Sequence, residues 1–348
     1  MCRHFGACGG CTLQDLSEDA CLAEKRARIE KALRNVGLEA PIGEVIRVPP
    51  ASRRRAAFAA KKAKGKVALG FRGSRSHAIV DMQQCLVLTH ALFDLVAGLR
   101  AMMGELLADG GSAELHVTQV REGFDLAFRW SRRSDPALAA VVARWAQRLG
   151  FVRVTANGEI LTSLGTPSVD LAGVSIALPP ESFLQPTREG EKALQQLVSA
   201  AAGGAKNAVD LFAGCGTFTF VLAKKAKVHA VEGDRAMLEA LAEAAGHAKG
   251  LKPVTTEKRD LHKHPLTARE LARFDLAVLD PPRAGAASQA RQLAGSTLER
   301  IVYVSCDAES FARDARTLTD ANFRLRALTP MDQFLWSEHI ELVGIFER

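Results

Sequence analysis

The residues most able to do chemistry in this chain are thiols, and the most telling is Cys306. It follows Ile301–Val304, an apolar run rich in β-branched and aromatic side chains that reads as a buried strand, and then Ser305. Open α/β sheets bind ligands just beyond the carboxyl ends of their strands. A thiol there can attack an electron-poor carbon once it is a thiolate. Taken alone, the position equally suits a small buried apolar residue.

A second group of thiols opens the chain. Cys2, Cys8 and Cys11 form C-x5-C-x2-C, with Gly9-Gly10 in the short gap letting the backbone wrap tightly. Such a centre needs a fourth ligand. Cys21 opens a charged helical run, Cys21–Asn35, whereas Cys85 follows the apolar Ala78–Asp81 and the turn Met82-Gln83-Gln84, where a ligand is held rigidly. Cys85 is therefore the expected fourth. Zinc and an iron–sulfur cluster both accept four cysteines. Seven cysteines, an odd number, in a chain without an export signal argue against a disulfide framework.

The elements that must position these groups belong to a chain of 348 residues, enough for two domains or so. At 47% hydrophobic and 24% charged it has a globular composition. No run nears the roughly 18 apolar residues of a membrane helix, and MCRHFGACGG lacks the apolar core of a signal peptide. The expectation is a cytoplasmic monomer without membrane contact. The net charge of +7 points to nucleic acid as partner. From Ser52 to Val80 there is no acid, while Arg53, Arg54, Arg55, Lys61, Lys62, Lys64, Lys66, Arg72 and Arg75 punctuate the β-like pieces Ala56–Ala60 and Lys66–Phe71. That surface suits a phosphate backbone, or a plain solvated face.

Residues 91–178 read as mixed α/β, with helices over His90–Leu107 and Asp135–Leu149 and a hairpin of Ala113–Val120 with Gly123–Trp130. After Pro179-Pro180 the pattern becomes strand, glycine turn, helix, repeated, as in a doubly wound sheet. Ala208–Phe212 leads into Ala213-Gly214-Cys215-Gly216-Thr217, without the third glycine of the dinucleotide fingerprint. Acids then close successive strands. Glu232 follows Val228–Val231, Asp260 follows Val254–Lys258, and Asp280 follows Asp275–Leu279. An acid after the second strand can take both ribose hydroxyls, so the series points to a nucleoside-containing cofactor. His339 and Glu341 precede a last strand, Leu342–Phe346.

Together these motifs resemble the RNA 5-methyluridine methyltransferases of the RumA/TrmA type over almost the whole chain. DLFAGCGTF (Asp210–Phe218) is similar to their S-adenosylmethionine loop, DPPRAG (Asp280–Gly285) to a substrate-side motif, and YVSC (Tyr303–Cys306) to the nucleophile strand. HIE (His339–Glu341) resembles their base motif, FLQ (Phe183–Gln185) the opening of the methyltransferase domain, and CRHFGACGGC with DMQQC the cluster motif of the ribosomal-RNA branch. The resemblance implies an α/β fold. Its C-terminal part would be a class I, Rossmann-like S-adenosylmethionine methyltransferase domain over 179–348. An α+β RNA-binding part would precede it, made of a cluster loop and basic β segment (1–90) and 91–178, without an N-terminal TRAM-like β-barrel.

It further implies a 4Fe-4S cluster on Cys2, Cys8, Cys11 and Cys85. Cys306 would be the nucleophile and Glu341 the base. Gln185, Phe212, Thr217, Glu232, Asp260 and Asp280 would form the cofactor pocket, with Gln185 and Asp280 also holding the target base and Arg283 assisting. The implied product is 5-methyluridine in 23S rRNA, with the tRNA T-loop as alternative and a non-catalytic cluster-bearing RNA-binding protein as a second. The motif departs from the family's S-C-N-P at Asp307-Ala308, from F-x-Q-x-N at Thr187, and carries an extra Cys21.

Overall fold

The computed structural model describes residues 1–348. After the cysteine loop come helix α1 (Glu18–Asn35), the short β1 (Ile46–Arg47), then β2 (Arg55–Ala63), β3 (Lys66–Arg72) and β4 (Ile79–Asp81). Next are α2 (His90–Leu106), β5 (Ser112–Gln119), β6 (Phe124–Trp130), α3 (Pro136–Leu149), β7 (Phe151–Ala156) and β8 (Glu159–Ser163). They build one sheet of order β4-β3-β2-β5-β6-β7-β8. Leu95, Leu99, Met102, Val142 and Trp145 of its two helices bury against Phe58, Leu115, Leu126 and Phe128. Helix α3 has strong local signals: Asp135 caps its first turn, Pro136 occupies the first position, and Gly150 ends it at φ 72°.

A hairpin of β9 (Ser168–Leu171) and β10 (Val174–Ala177) leads into the second unit. Its elements are α4 (Arg188–Ala201), β11 (Asn207–Leu211), α5 (Thr219–Ala223), β12 (Lys227–Glu232), α6 (Arg235–His247), β13 (Val254–Lys258) and α7 (Ala268–Leu271). Then follow β14 (Leu276–Leu279), α8 (Ala287–Ala294), β15 (Arg300–Ser305), α9 (Ala308–Thr319), β16 (Arg324–Asp332) and β17 (Glu341–Glu347). The sheet order is β1-β16-β17-β15-β14-β11-β12-β13, with β17 antiparallel to both its neighbours. The central strands are buried on both faces, which is why β14 is a solid Leu-Ala-Val-Leu run.

Two placements differ from the sequence expectation. Residues 18–47 join this second sheet: β1 pairs with β16, and Ile29, Ala32 and Leu33 of α1 enter the core beside Phe311 and Leu318. The last strands also run longer than their apolar cores, because each supplies ladder partners for the other; Glu341 thus begins β17, paired with Met331. No helix is long and apolar enough to cross a membrane.

Candidate active site

The strand ends bring the predicted reactive groups together. The antiparallel β15–β17 ladder ends with Ser305 facing Leu342; Cys306 follows in the bend that closes β15 and Glu341 precedes Leu342, near enough for the Glu341 carboxyl to raise the Cys306 thiol. Asp280 follows β14, the other neighbour of β15. Gln185 arrives from the segment before α4, and its Nε2 donates to Asp280 Oδ2 at 3.2 Å. Gln333, from the turn after β16, donates through Nε2 to Gln185 Oε1 at 2.9 Å and to Glu341 Oε2 at 2.8 Å. An amide-linked row, Asp280–Gln185–Gln333–Glu341, therefore spans the site beside Cys306.

Burial dominates the electrostatics. Glu341 is pushed up to about 8 by loss of solvent and then by Asp280, against the lowering effect of Gln333. Asp280 is raised to about 7 by burial. The Cys306 thiol is pushed up to about 12 by burial, then by Glu341 and Asp280. Cys306 and Glu341 therefore favour their neutral forms in the free protein at neutral pH, with Asp280 poised between its two forms. Arg283 does not reach this row; its Nε pairs with Asp307 Oδ2 at 3.3 Å and its side chain is largely exposed. Asp307, where the family motif differs, caps α9 by accepting from the Ser310 N–H at 2.9 Å.

The basic run after Ser52 is not all surface. Arg54 is 2% exposed, ion-paired with Glu191 at 2.6 Å, and donates through Nε to the Gln185 carbonyl at 3.1 Å. Arg55 donates to the Leu184 carbonyl at 2.6 Å. These two cations fix the backbone on either side of Gln185, so they act as clamps and are spent as phosphate ligands. Lys61, Lys64, Lys66, Arg72 and Arg75 remain toward solvent.

Next to this row the ends of β11, β12 and β13 carry the other predicted binding residues. Phe212 turns the chain at φ 62°, a left-handed conformation for a non-glycine residue, with His262 tilted over its ring at 5.3 Å. Gly216 is required at φ 101°, since a Cβ there would meet Phe220 at 2.4 Å. Glu232 folds its carboxylate onto the Gly214 N–H at 2.9 Å and the Asp234 N–H at 2.8 Å. Asp260 accepts from the His262 N–H at 3.1 Å, and the Thr217 carbonyl accepts from Gln195 Nε2 at 3.1 Å. Asp210 is fully buried and raised to about 7 by burial, with Asp280 and Glu232 adding to the effect. Thr219 donates to Asp210 Oδ2 at 2.6 Å, while Asp210 Oδ1 has no partner. Crowded, partly unsatisfied carboxylates of this kind fit a ligand that brings positive charge and hydroxyl donors.

The cysteine loop lies along the end of β3, with the Gly9 N–H donating to the Arg72 carbonyl at 3.0 Å and Cys8 bridging Gly73. Cys2, Cys8, Cys11 and Cys85 rim one cavity of about 520 Å³, with Arg53 beside them. No three His, Cys, Asp or Glu side chains are arranged to hold a single metal ion. Cys11 is pushed up to about 11 by burial, with Cys85, Cys8 and Cys2 adding to it. Cys21 stands apart: its thiol donates to the Leu13 carbonyl at 3.1 Å.

Sequence reasoning missed Gln333, Arg54 and the buried Lys25–Asp332 pair at 2.5 Å. None has a motif, and each is defined by partners far away in the chain. The one available signal was a lysine on the apolar face of α1, in step with Cys21, Ile29 and Ala32.

Comparison with known proteins bears on the same regions. A family model described as tRNA (Uracil-5-)-methyltransferase matches residues 174–348. A Rhizobium meliloti protein named as an RNA methyltransferase is 42% identical over 353 residues, spanning 100% of this chain and 85% of its own. A 23S rRNA (uracil(1939)-C(5))-methyltransferase of Chromohalobacter salexigens is 34% identical over 366 residues, spanning 100% of this chain and 76% of its own. The Pyrococcus abyssi tRNA (uracil-54, C5)-methyltransferase, solved with S-adenosyl-L-homocysteine, shares the fold with a TM-score of 0.73. That match covers 97% of this chain and 85% of that one at 24% identity.

Proposed function

We propose, since this chain belongs to the tRNA (uracil-5-)-methyltransferase family, that Cys306 and Glu341 act on one uracil ring of an RNA. The protein is an S-adenosylmethionine-dependent RNA methyltransferase. What supports the reading is that Cys306 and Glu341 adjoin the end of the β15–β17 ladder at Ser305 and Leu342, with the Glu341 carboxyl near enough to raise the Cys306 thiol.

Carbon 5 of uracil is a weak nucleophile. Cys306 adds through sulfur to carbon 6 as the thiolate, its proton having passed to solvent so that Glu341 stays free for the later step, and the C5=C6 electrons move onto carbon 5 and the O4 enolate. S-adenosylmethionine supplies an electrophilic methyl group to that carbon. Glu341 then takes the carbon-5 proton. The freed pair rebuilds the double bond, and the S–C6 electrons return to Cys306. Gln185 and Asp280 hold the polar edge of the base. Phe212, Thr217, Glu232 and Asp260 line the cofactor, whose positive sulfonium and ammonium answer the raised carboxyls of Asp210 and Asp280. Burial and the neighbouring carboxyls disfavour the Cys306 thiolate in the free protein, and such arriving charge would favour it. The target uridine must be unstacked to enter, which favours RNA loops.

We assign the target to 23S rRNA, following the Chromohalobacter salexigens relative. The tRNA T-loop is the second reading, favoured by the description of the matching family model. The four thiols rim one cavity beside Arg53, and the resemblance of their motifs to the cluster motif favours a 4Fe-4S cluster over zinc, both of which accept four cysteines. Cys2, Cys8, Cys11 and Cys85 would hold it as a staple between the N-terminal loop and β3–β4. The protein would work as a monomer in the cytoplasm, with its RNA.

The test is tritium release from RNA labelled at uridine carbon 5. The parent should release tritium with S-adenosylmethionine present, and Cys306→Ala should release none. Full activity in Cys306→Ala would sink the reading. Mapping 5-methyluridine in total RNA from cells lacking the protein separates the targets: the mark should vanish from large-subunit rRNA and persist in tRNA.

A further inference from the structure

We propose that Gln333 is a positioning residue for the last step, holding Glu341 ready to accept the carbon-5 proton and locking the amide of Gln185 toward Asp280. The inference rests on the reading of Glu341 as the base. Gln333 is 1% exposed, Glu341 3% and Gln185 2%, so none has water as an alternative partner. Both amide hydrogens of Gln333 are committed, one to Gln185 Oε1 and one to Glu341 Oε2. Gln185 is left with only one orientation, nitrogen toward Asp280. A donor aimed at a buried carboxyl favours its ionised form, which is the form that can take a proton.

The remaining polar atom adds a second part. Gln333 Oε1 is buried without a partner, packed where a Cβ on Gly190 would come within 2.5 Å of it. Once Glu341 has accepted the carbon-5 proton it becomes a donor. A half-turn of the Gln333 amide then presents Oε1 to it and releases the Gln185 amide, so one side chain serves both protonation states of the base and the lock on Gln185 lasts only until the proton has moved. The proton moves from carbon 5 to a Glu341 oxygen, and nothing else is consumed.

The turn that carries Gln333 is anchored for this purpose. Lys25 Nζ binds Asp332 Oδ1 at 2.5 Å and the Phe334 carbonyl at 3.0 Å, bracketing Gln333 on both sides. The Thr12 and Leu13 N–H groups donate to the Trp336 carbonyl at 2.7 and 2.9 Å.

Gln333→Met tests it, with two rates followed on the full-length protein between pH 6 and 9. One is formation of the covalent RNA adduct, read on a denaturing gel. The other is tritium release. Adduct formation should stay within about twofold of the parent. Tritium release should fall roughly 10- to 100-fold at pH 7, the factor for losing a hydrogen bond to a charged group, and recover toward pH 9. Adduct should accumulate meanwhile. Equal loss in both rates with the parent pH profile would reduce Gln333 to packing and overturn the proposal, as would unchanged tritium release. Gln333→Glu, of the same shape, guards against misfolding. It should bind S-adenosylmethionine by calorimetry yet accumulate adduct at least as strongly, and normal turnover in it also overturns the proposal. If the parent itself forms no adduct, the base-and-nucleophile reading fails first, whatever Gln333 does.

Discussion

Cys306 stood out in the sequence because a thiol at a strand end carries chemical meaning by type and place, whereas Glu341 was singled out by the resemblance of His339–Glu341 to a base motif. Gln333 had neither signal. An amide does not titrate, and its partner Gln185 lies 148 positions away. Their pairing fixes two outcomes. Glu341→Gln keeps the shape and the contact to Gln333 but cannot accept a proton, so the RNA adduct should persist on a denaturing gel while methylation turnover falls by at least about 100-fold; free release of product would refute the assignment. The second outcome is a pH dependence. Asp210 at about 7 and Glu341 at about 8 stand above their ordinary carboxyl values of 3.8 and 4.5. For raised acids the stabilising contribution is complete below the unfolded value and is lost as pH rises through the folded one. The cofactor-free protein should therefore melt at lower temperature as pH goes from 6 to 8.5. Bound S-adenosylmethionine, being cationic beside these groups, should raise the midpoint more at pH 8.5 than at 6. A midpoint that climbs with pH in the free protein would contradict this.

At the scale of elements, the parallel strands were legible because burial on both faces writes continuous apolar runs. The insertion of β17 between β15 and β16 was not, since sheet order is set by packing and leaves no local pattern; yet that insertion brings Glu341 to Cys306. The loop after β11 is the strictest element. Gly216→Ala adds a Cβ at 2.4 Å from Phe220 in a left-handed conformation and should cost roughly 1–3 kcal/mol. Cofactor affinity measured by calorimetry should weaken about tenfold or more, because the same loop offers the Gly214 N–H to Glu232. Helix α1 shows the opposite case, a structural ion pair inside an apolar face. Lys25→Met leaves Asp332, 1% exposed, with only the more distant Arg47 at 3.9 Å as a cation, and denaturant unfolding should show a loss near the lower end of about 3–5 kcal/mol. Lys25→Met combined with Asp332→Leu should recover much of it, which a purely steric role for Lys25 would not allow.

Across the whole molecule, the two sheets meet where Arg54 and Arg55 grip the segment holding Gln185, and again where the cysteine loop leads into Thr12 and Leu13 against Trp336. The first junction ends on Gln185 of the amide row and the second on Trp336, three residues beyond Gln333, so order in the N-terminal part is expected to reach the row through backbone contacts. The net charge and acid-free stretch signalled an RNA partner, but the sequence could not show that part of that positive charge is consumed in holding the units together. The cysteine loop puts this coupling to measurement. Cys11→Ser removes one of four thiols around the cavity and should abolish iron content, expected at about four irons per parent chain. The loop would then lose its staple, and amide hydrogen exchange at Thr12 and Leu13 should quicken together with exchange across the turn 333–337. S-adenosylmethionine binding, which we assign to the far ends of β11 to β13, should stay within about twofold of the parent. Iron loss that speeds exchange in the cysteine loop but leaves the 333–337 turn as protected as before would separate the two regions and refute the coupling; one zinc per chain in the parent would refute the cluster alone.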